Sequence, residues 1–499
     1  MSDLPYHVVG LAFLFSLVLT PVVRRLALRL GIVDAPDGHR KLHGRTVPLC
    51  GGVAVFAAMA IALGVGLAVN VGWGYVLRSD PDFMIAAAVA SVLIVGLGLV
   101  DDRFVLRGRQ KFVGQVLVVL GLVWFGDLTI RKIELFGSVL ELGPLAIPFT
   151  MFWLLGAINA LNLIDGVDGL ATTVGIIVSA AIAVMASMTN HHVDAVCSLA
   201  MAGSLAGFLI YNLPPAKIFL GDAGSMLIGL VLGVLAIRSS LKGPATVALA
   251  APTVIWGVLI FDVGMAILRR KLTGRSLYTT DRGHLHHVLQ ERGFSGLGIV
   301  VLVGLLCAVC AGGALVSVYL KDELMAVATL AAVLGTLVAS RFFGHSECGL
   351  LAQKIKRAAV SMVRFPHKPR QTPQPLRSRF QGKREWEVLW EALLELAERF
   401  DLCTIRLNVN SPAIGEEYHA SWERKEHPGA ARLWRTEIPL FQGNLTIGRL
   451  SASGAVTDDS AFGYMSEFLD ALRPFEEQLH AVLAKRPAAR ADLVAGPSQ

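Results

Sequence analysis

Eleven apolar runs of roughly bilayer-spanning length decide what this chain can become. They lie at residues 8–29, 49–70, 82–100, 112–128, 143–161, 170–188, 193–212, 223–240, 246–268, 297–318 and 324–341. A spanning helix needs about 20 mostly apolar residues, because each adds only about 1.5 Å of rise. Of the 499 residues 54% are hydrophobic and 17% charged, with a mean hydropathy of +0.59. That composition excludes a large soluble core. The expected fold class is an all-α polytopic membrane protein of about eleven transmembrane helices, followed by a small C-terminal cytosolic α+β domain.

Loop charge orients the spans. No cleavable signal peptide stands out, since Ser2 and Asp3 precede the first run where a basic segment would be needed. Alternate loops carry 17 Lys and Arg residues against 6 in the others. The basic set is expected inside, which puts the amino terminus outside and the carboxyl tail in the cytoplasm. The six cysteines are scattered and read as small apolar fillers rather than a disulfide framework.

Against this apolar background, Asn159-Ala-Leu-Asn162-Leu-Ile-Asp165-Gly-Val-Asp168-Gly-Leu170 is anomalous. Ionisable groups inside membrane segments are costly and mark function by default. Asn162 and Asp165, like Asp165 and Asp168, would be neighbours on a helix, although Gly166 and Gly169 make a break plausible. Two carboxylates this close repel unless a cation or a proton lies between them. Hard oxygen donors suit Mg²⁺, which takes one or two carboxylates and completes its sphere with water and phosphate.

Four further polar segments fall on the same face. The loop 31–48 contains Arg40, Lys41, His43 and Arg45, which read either as a phosphate site or as an ordinary basic flank. Asp101 and Asp102 end the third run; adjacent helical residues point about 100° apart, so different jobs are expected. One could face a metal or a substrate proton, the other a basic partner such as Arg109 or Lys111. In Phe219-Leu-Gly-Asp222-Ala-Gly-Ser225, a helix start could offer backbone N–H groups to phosphate. Asp222 is there either a metal ligand or a helix cap. Asp262 reads either as a brace for the site or as the partner of a basic residue, and His284-Leu-His286-His287 as donors to phosphate or sugar oxygens rather than a zinc site. Span alternation puts all five segments on the cytoplasmic side, which argues for one composite site.

Beyond the last run, residues 345–382 read as a basic, proline-containing linker. Residues 383–486 read as the α+β domain, with helices at 384–400 and 460–484 and strands near 402–409, 417–423, 432–440 and 444–452; 487–499 read as a disordered tail. The membrane domain is then 1–344.

Taken together the motifs resemble the polyprenyl-phosphate N-acetylhexosamine-1-phosphate transferase family over roughly residues 1–341. Five occur in order: Asp34-Ala-Pro with Arg40-Lys41-Leu-His43 and Gly51-Gly52; Asp101-Asp102-Arg103; Asn159 to Leu170; Phe219 to Ser225; and His284 to His287. The resemblance implies transfer of a sugar-1-phosphate from a UDP-sugar to undecaprenyl phosphate, with release of UMP. That step would start a cell-envelope glycan at the bacterial inner membrane, with Mg²⁺ required and Mn²⁺ as a possible substitute. It implies Asp222 as leading metal ligand, with Asp165 beside it, and Asp101 or Asp102 as the group acting on the lipid phosphate. Asn162, Asp165, Asp168, Asn212 and Phe219 match positions near the nucleotide, and Ser225 and His284 match phosphate-side positions. The His-Leu-His-His form is closer to the N-acetylglucosamine branch than to the muramoyl-pentapeptide branch. No nucleic-acid partner is expected. A homodimer and a protein partner at the C-terminal domain are compatible with the chain. An ion-coupled transporter is a competing class; it predicts acids near span centres and repeated halves, and neither is evident.

Overall fold

Backbone amides in hydrocarbon must be satisfied within their own segment, and the chain answers with helices. The computed structural model describes residues 6–34, 46–69, 72–243, 246–273, 283–345, 347–349, 351, 384–411, 416–424, 433–442, 445–455, 467–472, 474–475 and 478–479. In chain order the elements are α1 (Tyr6–Leu30), β1 (Val33–Asp34), β2 (Val47–Pro48), α2 (Gly51–Val69), α3 (Gly72–Leu77), α4 (Pro81–Phe104) and α5 (Gly108–Phe125). There follow β3 (Lys132–Leu135), β4 (Ser138–Glu141), a 3₁₀ turn (Gly143–Leu145), α6 (Ala146–Ile164), α7 (Leu170–Met188), α8 (His192–Asn212) and α9 (Gly221–Arg238). Then come β5 (Leu241–Gly243), β6 (Thr246–Ala248), α10 (Ala250–Ile255), α11 (Gly257–Thr273), α12 (Leu285–Glu291), α13 (Gly296–Leu320) and α14 (Glu323–Ala339). The last are α15 (Arg384–Arg399), β7 (Leu402–Ser411), β8 (Glu416–Glu423), β9 (Leu433–Gln442) and β10 (Leu445–Ala455).

Among the described residues, eight helices are long and apolar enough to cross a membrane by length and composition: α1, α2, α4, α6 with its preceding turn, α7, α8, α9 and α13. The chain is thus a multi-pass membrane protein. Each apolar run overlaps a helix, but about eleven spans is more than these criteria admit. Three runs fall short: α5 and α11 carry basic residues, and α11 and α14 have only 17 residues each. The run 246–268 also needs correction as a single helix. Its first residues form β6, paired in parallel with β3, and the helix that follows is interrupted between α10 and α11. A continuous apolar run does not by itself separate a buried strand from a helix.

The chain divides into two compact units. In the first (Met1–Pro36, His43–Ala266 and Thr280–His345), α9 is central, with 89% of its span buried against 22% for α1. Glycines let its neighbours reach its backbone. A Cβ on Gly52 of α2 would collide with Gly224, and one on Gly98 of α4 with Ala223. Small residues at such crossings replace the hydrophobic drive that lipid removes. The short strand β2 continues this arrangement: Phe219 N donates to Pro48 O (2.9 Å), Gly51 N to Phe219 O (3.0 Å) and Gly52 N to Leu220 O (2.9 Å). The amino terminus of α9 is thereby fixed beside the carboxyl end of α4.

The second unit comprises Asp37–Leu42, Ile267–Thr279 and Ser346–Gln499. It contains α15 and an antiparallel sheet in the order β8-β7-β10-β9. Leu389, Leu393 and Ala397 of α15, at helical spacing, join a core with Ile405, Leu407 and Val409, at strand spacing. Residues 467–471 are helical.

Candidate active site

Three helix ends meet where the apolar spans stop. At the end of α4, Asp101 and Asp102 turn different ways, as adjacent helical residues must. Asp102 accepts from the backbone N–H groups of Asp222 (2.8 Å) and Ala223 (3.4 Å). It therefore caps α9 from another helix. The expectation that this helix start leaves its N–H groups to phosphate needs correction at these two positions, because a carboxylate already satisfies them. Gly221, at φ +73°, makes the sharp entry to α9, and a Cβ there would come within 2.6 Å of Asp102 Oδ2. Asp222 itself is not the cap, since the capping position is Leu220.

Asp101 faces the other way. Its Oδ1 accepts from Leu106 N (2.7 Å), and its Oδ2 lies 2.9 Å from Lys111 Nζ. The same ammonium is 2.9 Å from Asp222 Oδ2 and donates to Asn162 Oδ1 at 3.2 Å. Asn162 Nδ2 in turn donates to Asp222 Oδ1 (2.5 Å) and to Ser225 Oγ (2.9 Å). Lys111, with 16% of its side chain exposed, thus sits among oxygens from three helices. A cation is what two converging carboxylates require.

Helix α6 stops at Ile164, and Asp165 to Gly169 form a turn into α7, with Gly169 at φ +76°. The break allowed by the glycines is present, so Asp165 and Asp168 do not share a helix face. Burial, reinforced by Asp222, Asp102 and Asp168, holds the Asp165 carboxyl well above the usual carboxylate range. Asp168 Oδ2 accepts from Ala216 N at 2.9 Å. Asn212 accepts from Thr172 Oγ1 (2.7 Å) and donates to Ile218 O (3.0 Å). Both side chains tie down the 213–220 loop that leads to Phe219 and Asp222. Phe219 meets β2 and α2 through its backbone. Arg40 and Lys41 lie outside the described residues.

The histidines form a second layer. Asp262 on α11 accepts from Leu285 N (2.8 Å), capping α12, and its other oxygen lies 3.0 Å from His284 Nδ1. Both side chains are buried, so Asp262 orients the imidazole. The ring of His286 is parallel to that of His284, with centroids 6.1 Å apart, and His287 lies 3.4 Å from Gln290 Oε1. His286 is 2% exposed, neither of its nitrogens has a hydrogen-bond partner, and its Nε2 abuts Gly166 so closely that a Cβ there would collide. Burial and the neighbouring imidazoles push its pKa down to about 3.

That depression predicts a pH dependence. Below the ordinary histidine value of 6.5 the unfolded chain takes up a proton that buried His286 refuses until about pH 3. Its contribution to stability is present above that ordinary value and falls as pH drops through this window. Thermal melts from about pH 7 to pH 5 should show a steeper loss of Tm for the wild type than for His286→Leu. Equal slopes would remove His286 as the cause.

The donor set suits a hard cation. Carboxylate and amide oxygens of Asp222, Asp101 and Asn162 already surround one positive charge. Among the described residues no three His, Cys, Asp or Glu side chains cluster tightly enough to enclose a metal. Mg²⁺ does not need such a cage, because water and phosphate complete its sphere. Sequence reasoning gave Lys111 only as one candidate partner of an acid and missed its bridging position. It also missed Gln115, which accepts from Asn159 Nδ2 at 3.0 Å. The available signal was spacing: Lys111 and Gln115 lie one turn apart on α5, directly after the paired acids.

Comparison with known proteins agrees with this geometry. The family model described as glycosyl transferase family 4 matches residues 84–240, which include most of α4 and all of α6 and α9. A probable undecaprenyl-phosphate N-acetylglucosaminyl 1-phosphate transferase of Bacillus subtilis (strain 168) is 34% identical over 304 residues, 60% of this chain and 82% of that protein. A decaprenyl-phosphate N-acetylglucosaminephosphotransferase of Mycobacterium tuberculosis (strain ATCC 25618 / H37Rv) is 34% identical over 360 residues, 66% of this chain and 87% of that protein. An undecaprenyl-phosphate alpha-N-acetylglucosaminyl 1-phosphate transferase of Escherichia coli (strain K12) is 30% identical over 307 residues, 60% of this chain and 80% of that protein. With identity at this level over most of those proteins' length, and with the acid, amide and histidine motifs in place, the chain belongs to the polyprenyl-phosphate N-acetylhexosamine-1-phosphate transferases, in their N-acetylglucosamine branch.

Proposed function

We propose that the chain transfers N-acetylglucosamine-1-phosphate from a UDP-sugar to undecaprenyl phosphate, releasing UMP and starting a cell-envelope glycan. One observation carries the reading: Lys111 Nζ held at 2.9 Å from both Asp101 and Asp222, where α4 ends and α5 and α9 begin. A membrane boundary is where a lipid phosphate and a water-soluble nucleotide can meet. On this reading α5, α10–α11 and α14 complete eleven crossings, the site faces the cytoplasm, and the membrane is the bacterial inner membrane.

One pyrophosphate bond is broken and one formed, so the protein's main task is to position two anions that repel each other. Asp222 and Asp165 are the residues that would hold Mg²⁺, which when bound neutralises charge between the two phosphates. Lys111 contributes positive charge at the same point. Asp101 keeps one oxygen fixed by Leu106 N and presents the other towards the centre, placed to take a proton from the lipid phosphate. Asp102, with its carboxylate engaged by α9, is a positioning residue. Asn162 holds Asp222 from the nucleotide side and is itself held by Ser225 Oγ. Asp262 fixes His284 through Nδ1, leaving Nε2 for a phosphate or sugar oxygen.

The test is incubation of membranes with undecaprenyl phosphate, Mg²⁺ and radiolabelled UDP-sugars. Label should enter the lipid extract with UDP-N-acetylglucosamine and stop entering when Mg²⁺ is chelated. Label arriving only from the muramoyl-pentapeptide nucleotide would move the chain to the neighbouring branch. No lipid-linked product from any UDP-sugar, with Mg²⁺ or Mn²⁺, would end the reading.

A further inference from the structure

The three helices that meet at Lys111, Asn162 and Asp222 meet again one turn deeper in the bundle. Gln115 follows Lys111 by four residues on α5, Asn159 precedes Asn162 by three on α6, and Met226 follows Asp222 by four on α9. At that spacing each is the surface neighbour of its counterpart, about 5 Å further along the helix. Gln115 Oε1 accepts from Asn159 Nδ2 (3.0 Å), and Gln115 Nε2 donates to Met226 Sδ (3.1 Å). Asn159 Nδ2 also donates to Leu155 O (2.8 Å), which fixes its amide on α6. Gln115 is fully buried, and so is Met226.

Helices α6 and α9 are held to each other by close packing. A Cβ on Gly229 would come within 2.5 Å of the Ile158 backbone, and Trp153 Nε1 donates to Gly233 O (3.0 Å). Helix α5 leans on this frame with one side open, where Val113, Leu117, Trp124 and Phe125 are all more than half exposed. Its buried residues are Gln115, Val118, Val119, Leu122 and Val123. Four of those five are aliphatic, and lipid tails offer aliphatic side chains much the same contacts as protein does. A small slide or roll of α5 would therefore cost little in apolar packing. Gln115 resists it, because an amide in hydrocarbon loses heavily when its partner moves out of reach. Lys111 rides on the same helix one turn away, with both of its carboxylate contacts at 2.9 Å.

We propose that Gln115 is a positioning residue for the reaction. Its amide, pinned to Asn159 on α6 and to Met226 on α9, sets the depth and rotation of α5 so that the Lys111 ammonium stands between Asp101 and Asp222. The effect on turnover rests on the transfer reading; the hold on α5 does not. Gln115 touches no reacting group, and it acts only through Lys111.

Gln115→Met tests it, since Met keeps the length of the side chain and removes the amide. In nanodiscs kcat should fall about tenfold, the scale of a displacement below 1 Å at a reacting centre. KM for UDP-N-acetylglucosamine should stay within about twofold, because the group displaced serves the transition state. The deciding comparison is a cycle with Lys111→Met. Once the ammonium is gone Gln115 has nothing left to position, so Gln115→Met should cost less than about twofold in that background. Asn159→Leu removes the same hydrogen bond from its other end; it should repeat both results, and it carries the test if Gln115→Met does not fold. An unchanged kcat, a loss confined to KM, or a full tenfold loss on top of Lys111→Met overturns the proposal. Thermal melts of the same proteins read the coupling without turnover. The double variant should lose less stability than the two single losses added together, and strict additivity also overturns the proposal. If the wild type forms no lipid-linked product, the transfer reading falls, and the melts still decide whether Gln115 holds Lys111 in place.

Discussion

Asp222→Asn should reduce transfer at least about a thousandfold, beyond the loss typical of removing one electrostatic group from a reaction centre, while the protein stays folded in the membrane. The substitution keeps the shape of the side chain. Its remaining oxygen can accept from Asn162 Nδ2, as Asp222 Oδ1 does now, and Lys111 keeps its partner Asp101. What disappears is one negative charge where Lys111, Asn162 and Ser225 converge. Asp102 still caps α9 through backbone N–H groups that the substitution does not touch. A melting temperature within a few degrees of wild type, together with no lipid-linked product at saturating Mg²⁺, is the expected pair of results. Turnover at the wild-type rate would take Asp222 out of the reaction. A protein that fails to fold would make the Asp222 side chain structural rather than part of the reaction.

Much of this site was legible because charge is so conspicuous in an apolar chain. Asp101, Asp102, Asp165, Asp168 and Asp222 stand out without any structure, and span alternation alone brings them to one face. What the residues do to each other was not legible. Asp102 and Asp222 are separated by 120 positions, and nothing local to either says that one carboxylate caps the other's helix. Gly98 looked like an ordinary small residue of a span, yet its missing side chain lets α4 touch the backbone of α9. Asn212 and Asp168 carried the same motif-level weight as Asn162 and Asp222; they serve the loop leading to the site, and only their hydrogen bonds to Ile218 O and Ala216 N reveal it. In the fold, apolar periodicity located the helices and misread 246–248, where an inner strand of the sheet uses the same residue types as a span. In the second unit the alternation of Ile405, Leu407 and Val409 marked a strand directly, because period-2 burial has no helical counterpart.

Lys111→Met should destabilise the protein by about 3–5 kcal/mol, the usual result of stripping one partner from a buried ion pair, and should lose transfer at least about a hundredfold. Met matches the length and apolar stem of Lys and cannot donate. Without the ammonium, Asp101 Oδ2 and Asp222 Oδ2, each now 2.9 Å from Nζ, face each other uncompensated. The argument is about repulsion, so it makes a second demand. Adding Asp101→Asn to Lys111→Met removes one of the two like charges, and most of the lost stability should return while transfer stays low. Two sites that share a partner are not additive, and the size of that recovery is their coupling. Thermal melts of the wild type, both single variants and the double variant measure it. If the double variant is no more stable than Lys111→Met, the ammonium is not what lets these carboxylates share one membrane boundary. A neutral residue at 111 that leaves both stability and transfer intact would break the link between the ion pair and the chemistry.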